Sequence, residues 1–149
     1  RCVVLIQKEV AERIVAGPGS KTYGLLSVLI QRSFDAHILR VVPPHVFLPP
    51  PKVHSAIVAL ERKETRFSQT EDAQLVAAAR AGFSSRRKTL RNSVAGALGI
   101  KPAQVESAIT DSGIDFMRRA ESLELSEFAS LGRALAEAGL LKLDESLES

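Results

Sequence analysis

A chain of 149 residues, 45% hydrophobic and 25% charged with a net charge of +3, is ordinary globular material for one domain or two small ones. No run approaches the ~20 apolar residues a membrane helix needs, and the opening apolar stretch is too short for a signal sequence and lacks a small-residue cleavage site. Cys2 is the only cysteine, which excludes an internal disulfide and a cysteine-rich metal site and fits a reducing, cytoplasmic compartment.

Residues Cys2–Ile6 are apolar and rich in β-branched side chains, the pattern of a buried parallel strand entered in mid-protein. Lys8–Ala16 follows as a helix with Val10 and Ile14 on its apolar face, and Gly17-Pro18-Gly19 stops it. Ser20 is predicted to cap the next helix, in which Leu25, Leu26, Leu29 and Ile30 recur at helical spacing to about Ser33. A second strand is expected over His37–Val42, ended by Pro43-Pro44. Pro49-Pro50-Pro51 fits neither helix nor strand interior and reads as an extended connection. Ser55–Leu60 is a third strand.

A polar linker over 64–71 then separates this part from a helical remainder. From Thr70 or Glu71 a long helical pattern aligns Leu75, Val76, Ala79, Phe83, Leu90, Val94 and Leu98, with Gly82, Ser84 and Ser85 marking a bend or break. Another helix is predicted at about Ala103–Ser112, closed by Gly113, and a last one from Leu125 to about Ala138, closed by Gly139, with Leu131 and Leu135 inward. Lys142–Ser149 is expected to fray. The organisation is thus an α/β part over 1–63, a linker over 64–71, a helical part over 72–141 and a tail over 142–149. The first part holds too few strands for a complete doubly wound domain, so a missing amino-terminal half is expected.

Charge is unevenly spread. Ala73–Val105 carries Arg80, Arg86, Arg87, Lys88, Arg91 and Lys101 with no acidic residue, whereas the sequence from Glu106 onward is rich in carboxylates. A basic block of this kind suits a polyanion, although a solvated helix face is the plainer alternative. With Phe83 and Leu90 taken as the buried line, Arg80, Arg87 and Arg91 share one flank, with Lys88 further round. A ridge of guanidiniums there would suit bidentate phosphate contacts. The alternative for Arg86 and Arg119 is pairing with Glu121, Glu124 or Glu106 within the helical part, and Arg119 and Glu121 are given that structural role. No metal site is expected, and His37, His45 and His54 receive no role.

Three stretches in register resemble one family. They are Gln7-Lys8-Glu9-Val10-Ala11-Glu12-Arg13-Ile14 with Pro18-Gly19-Ser20-Lys21 and Tyr23-Gly24; Val42-Pro43-Pro44 with Phe47, Pro49-Pro50-Pro51-Lys52-Val53 and Ser55-Ala56; and Phe83-Ser84-Ser85-Arg86-Arg87-Lys88-Thr89-Leu90-Arg91-Asn92 with Arg119-Ala120-Glu121 and Leu123. Together they are similar to the ribosomal RNA adenine dimethyltransferases of the KsgA type, over nearly the whole chain to about Leu141. Leu25 and His54 depart from the family pattern, in which an Arg and an acidic residue are usual.

The resemblance implies the end of a Rossmann-like methyltransferase domain followed by a small all-helical domain. It implies transfer of methyl groups from S-adenosylmethionine to N6 of two adjacent adenines in a hairpin near the 3′ end of small-subunit rRNA. The small ribosomal subunit would be the partner, and a monomer is expected. The family's Gly-rich cofactor loop and Asn-x-Pro-Tyr motif do not occur in the sequence, so no cofactor-binding or catalytic residue is assigned and the chain alone is expected to be inactive. Phe47 is implied to stack on the target adenine, whereas a loop phenylalanine taken by residue type alone is more often buried. Lys52, Arg80, Arg87, Lys88 and Arg91 are the candidate RNA contacts, Lys52 being equally readable as solvated. Two rival readings are a stand-alone RNA- or ribosome-binding module and a resistance-type methyltransferase of large-subunit rRNA.

Overall fold

The computed structural model describes residues 1–143 and divides the chain into two compact units, Arg1–Thr65 and Arg66–Ser149. The predicted frayed tail thus lies largely outside the described residues. In the first unit the order is β1 (Cys2–Gln7), α1 (Lys8–Val15), α2 (Leu25–Gln31), β2 (Phe34–Val42), a 3-10 turn at Pro44–Val46 and β3 (Ser55–Arg62). The strands form one sheet in the order β1-β3-β2, with β3 antiparallel to both neighbours.

The parallel, fully buried reading of β1 is therefore corrected. Val4 lies opposite Val58 and Ile6 opposite Ala56, and these residues with Ile38 and Leu60 pack around Ala11 of α1. The alternate positions Val3 and Leu5 are 54% and 52% exposed. A β-branched run marks a strand that buries side chains, but it encodes neither the direction of its partner nor whether both faces are covered. β2 also begins earlier than its apolar pattern suggests, because pairing with β3 extends to Phe34 opposite Arg62. Its register slips between Ile38 and Arg40, a bulge that bends the strand just before the proline-rich loop.

Helices α1 and α2 are joined through side chains of α2. The C-terminal carbonyls of a helix have no partner within it. Here the Ser27 hydroxyl donates to the Arg13 carbonyl, and the Gln31 amide donates to those of Ile14 (2.7 Å) and Ala16 (2.8 Å). Ser20 does not cap α2 as expected; its hydroxyl donates to the Gly17 carbonyl (2.8 Å) inside the Gly-Pro-Gly turn. The Ser27 hydroxyl accepts from the Gly24 N–H (3.1 Å) instead, and Tyr23 just before it is buried.

The second unit holds α3 (Gln69–Gly82), α4 (Leu90–Leu98), α5 (Pro102–Asp111), a 3-10 turn at Ala120–Ser122 and α6 (Leu125–Glu137). Ser68 and Glu71 close a reciprocal cap on α3: the Glu71 N–H donates to the Ser68 hydroxyl (3.2 Å), and the Ser68 N–H donates to the Glu71 carboxylate (2.9 Å). Leu75, Leu90, Val94, Val105, Ile109, Leu123, Phe128, Leu131 and Leu135 are all fully buried and form its core. Helices α3 and α6 approach closely at Gly132, where a Cβ atom would sit 2.5 Å from the Gln74 carbonyl carbon and 3.0 Å from the Leu75 nitrogen. Only a glycine leaves room there.

Candidate nucleic-acid interface

The loop between β2 and β3 is pinned at its neck, where Val42 pairs with Ser55 and the Lys8 N–H donates to the His54 carbonyl (3.0 Å). Within it the Val46 and Phe47 N–H groups donate to Pro43 (3.4 Å) and Pro44 (3.2 Å) carbonyls, closing the short 3-10 turn. Five prolines fix φ along its course, so the loop has few conformations to lose. Phe47 is half-buried, with an extended backbone at φ −104° and ψ 152°. Lys52, His45 and His54 are exposed.

The basic segment differs from its predicted form. Arg80 is at the end of α3, but Arg86, Arg87 and Lys88 occupy a turn between α3 and α4, and only Arg91 is on α4. No single helix flank carries them. Two serine hydroxyls take over the carbonyls that a continuing helix would have used. Ser84 Oγ donates to the Ala81 carbonyl (2.8 Å), while the buried Ser93 Oγ donates to that of Gly82 (2.7 Å) and accepts from the Ser85 N–H (3.1 Å). The Thr89 hydroxyl then caps α4 by accepting from the Asn92 N–H (3.4 Å). Gly82, Ser84 and Ser85 mark this break in the sequence, whereas nothing in local spacing announces that Ser93, eight to twelve residues on, supplies the hydroxyl that closes it.

The turn presents its cations outward. Arg80, Arg86, Arg87 and Lys88 are exposed, and among the described residues Arg80, Arg87 and Lys88 meet no carboxylate. Arg91 behaves differently from its predicted place on the ridge. Its guanidinium donates to Glu106 at 2.5 Å and sits 5.6 Å from the centre of the Phe116 ring, while its Nε is buried without a partner. It ties α4 to α5. Glu106, one of three carboxylates considered as partners for Arg86 and Arg119, is brought to Arg91 by helix packing. Arg119 is exposed and Glu121 is half-buried, and no contact brings the two together among the described residues.

Arg118 does the other clamping. It binds Glu127 through two guanidinium nitrogens and donates to the Ser122 carbonyl (2.7 Å), while its own carbonyl accepts from the Leu90 N–H (2.6 Å) at the start of α4. The hydrogen bonds from Arg118 hold the Glu127 carboxyl below its ordinary 4.5, and the Ser68 N–H does the same for Glu71, with Arg133 adding to it. A carboxylate depressed in the folded state stabilises it above the unfolded pKa and loses that contribution as pH falls through the folded value. The melting temperature of the protein is therefore expected to fall between about pH 5 and pH 3, and Glu127→Gln to flatten that fall, as followed by circular dichroism.

S-adenosylmethionine has no fitting place among the described residues. A dinucleotide-like cofactor binds beyond the carboxyl ends of parallel strands, next to a glycine-rich turn. Here the sheet is antiparallel; of the left-handed glycines, Gly99, Gly113 and Gly139 each follow the end of a helix, and Gly19 lies in the Gly17-Pro18-Gly19 turn between α1 and α2. No group of three potential metal ligands occurs among the described residues, and no described helix is long and apolar enough to cross a membrane.

Two units of this shape have solved counterparts. A dimethyladenosine transferase from Plasmodium falciparum matches 92% of this chain and 57% of its own length with a TM-score of 0.70 at 25% identity. The 23S rRNA methyltransferase ErmE matches 90% of this chain and 54% of its own length with a TM-score of 0.59 at 20% identity, a likeness of fold alone. The class is that of the Rossmann-like methyltransferases. More narrowly, the chain belongs to the family described as Ribosomal RNA adenine dimethylase, whose profile matches residues 1–137. It is 45% identical over 135 residues to Ribosomal RNA small subunit methyltransferase A of Anaeromyxobacter dehalogenans, covering 91% of this chain and 48% of that protein. The protein of the same name from Syntrophotalea carbinolica is 47% identical over 136 residues, covering 91% and 51%. The chain spans about half the length of these curated relatives.

Proposed function

We propose that this chain is the RNA-docking part of an S-adenosylmethionine-dependent enzyme that dimethylates N6 of two adjacent adenines near the 3′ end of small-subunit rRNA. The reading is supported by the family and by relatives named for the small subunit. The observation that carries it is the exposed set Arg80, Arg87 and Lys88, unpaired among the described residues, with the latter two on a turn tied by the buried Ser93 hydroxyl. Guanidinium groups in that position suit phosphate oxygens, and A-form RNA is read largely through its backbone. In the other unit Phe47 offers a ring to the extruded purine, and Lys52 a charge to a neighbouring phosphate. The methyl donor is held elsewhere in the enzyme.

Counterion release tests the docking role. Changing Arg80, Arg87 and Lys88 together to Ala in the full-length enzyme should reduce the slope of log affinity against log salt by about 2–3, since each lost phosphate contact removes about 0.7–0.9. An unchanged slope would take the turn out of the interface. Arg91→Ala serves as the contrast: it should lower the melting temperature through the loss of its Glu106 pair and leave the slope where it was. A hairpin carrying the small-subunit pair of adenines should be methylated in preference to a large-subunit one.

A further inference from the structure

We infer that Leu48 is a wedge that enters the gap left in the RNA stack when the target adenine is drawn out. The inference rests on the proposed reading that this loop meets RNA. Leu48 is 99% exposed, so it adds almost nothing to the packing of the described residues. A single surface leucine is unremarkable. This one is not single: Val46 (56%) and Val53 (49%) are exposed on the same loop, with His45, Lys52 and His54 exposed around them. An apolar tip with a polar, partly cationic rim suits the faces of bases inside and phosphates outside.

The backbone explains why the tip stands in water. Leu48 lies between the extended Phe47 and the Pro49-Pro50-Pro51 run, which leaves the chain little freedom to fold it back. In an extended segment successive side chains project to opposite sides. Phe47 is half-buried and Leu48 is fully out, so the two neighbours face different surroundings. One can hold the purine that has left the stack, and the other can fill the place it vacated. Apolar side chains between base steps oppose restacking, and that opposition keeps an extruded base available.

The test uses the full-length enzyme and two forms of one hairpin RNA: adenine at the target position for turnover, and 2-aminopurine there, which has no N6 amine to methylate, for unstacking, since its fluorescence rises when the base leaves the stack. Leu48→Ala is expected to lower both the fluorescence gain and kcat on the hairpin by about tenfold, with KM within about twofold. On an unstructured oligonucleotide of the same sequence it should turn over like the wild type, and Leu48→Met should restore the hairpin rate. Equal losses on both RNAs, or no loss on either, would overturn the wedge. Failure of the wild type to bind the hairpin would instead remove the RNA reading itself. Exposure of the side chain makes misfolding of the variants checkable by an unchanged melting curve.

Discussion

Phe47→Ala in the full-length enzyme is expected to lower the rate of adenine methylation by roughly ten- to a hundredfold while changing RNA affinity only about threefold. A base removed from its stack costs a few kcal/mol, and an aromatic face returns about 1–3 of it. That return would be felt only when the base is out, so on the proposed reading it acts on turnover and little on docking, which is assigned to Arg80, Arg87 and Lys88. Phe47 is half-buried, and its backbone is held extended with its N–H on the Pro44 carbonyl. Phe47→Tyr or Phe47→Trp should keep most of the rate, because either ring preserves a stacking face. Parallel losses of rate and affinity in Phe47→Ala would show a collapsed loop in place of a missing platform.

Gly132→Ala should destabilise the protein by about 1–3 kcal/mol or more, against the ordinary trend for helices. In an open helix position the same exchange stabilises by up to about 1 kcal/mol, since alanine is the better helix former. At Gly132 the added carbon meets the backbone of Gln74 and Leu75 on α3, and a backbone inside a helix has no rotamer with which to yield. The helices must move apart, and Leu75, Leu131 and Leu135 lose contact with them. Gly96→Ala is the matched control: it lies on exposed α4 with nothing within 4 Å of its would-be Cβ, and it should raise the melting temperature. Thermal unfolding of the two variants decides the matter, because the signs are opposite. A stabilised Gly132→Ala would show that α3 and α6 are looser than described.

The elements that were legible in the sequence are those whose signals are local. The final helix was expected from Leu125 to about Ala138 and runs to Glu137, since its apolar spacing and Gly139 lie within one stretch of chain. Pro43 and Pro44 marked the end of β2 for the same reason, as proline cannot continue the ladder. What failed depended on distant partners. The direction of β1 is set by β3, some fifty residues later, and its own β-branched run is silent about that. Gly82, Ser84 and Ser85 marked the break after α3, but the flank assigned to Arg80, Arg87 and Arg91 assumed helical spacing from Phe83 to Leu90, where the chain instead makes a turn tied by the Ser93 hydroxyl. Of the candidate residues, Phe47, Lys52, Arg80, Arg87 and Lys88 reach solvent at least in part, while Arg91 is engaged by Glu106 through helix packing that no charge pattern encodes.

The knot of serines beneath the basic turn has a consequence for how such a surface can change. Its shape is written in main-chain carbonyls and two small hydroxyls, none of which involves a charged atom. Shape and sign are therefore inherited separately. Arg87 and Lys88 can be exchanged for neutral or acidic residues on an unaltered frame, so the charge this turn displays can vary without its path changing.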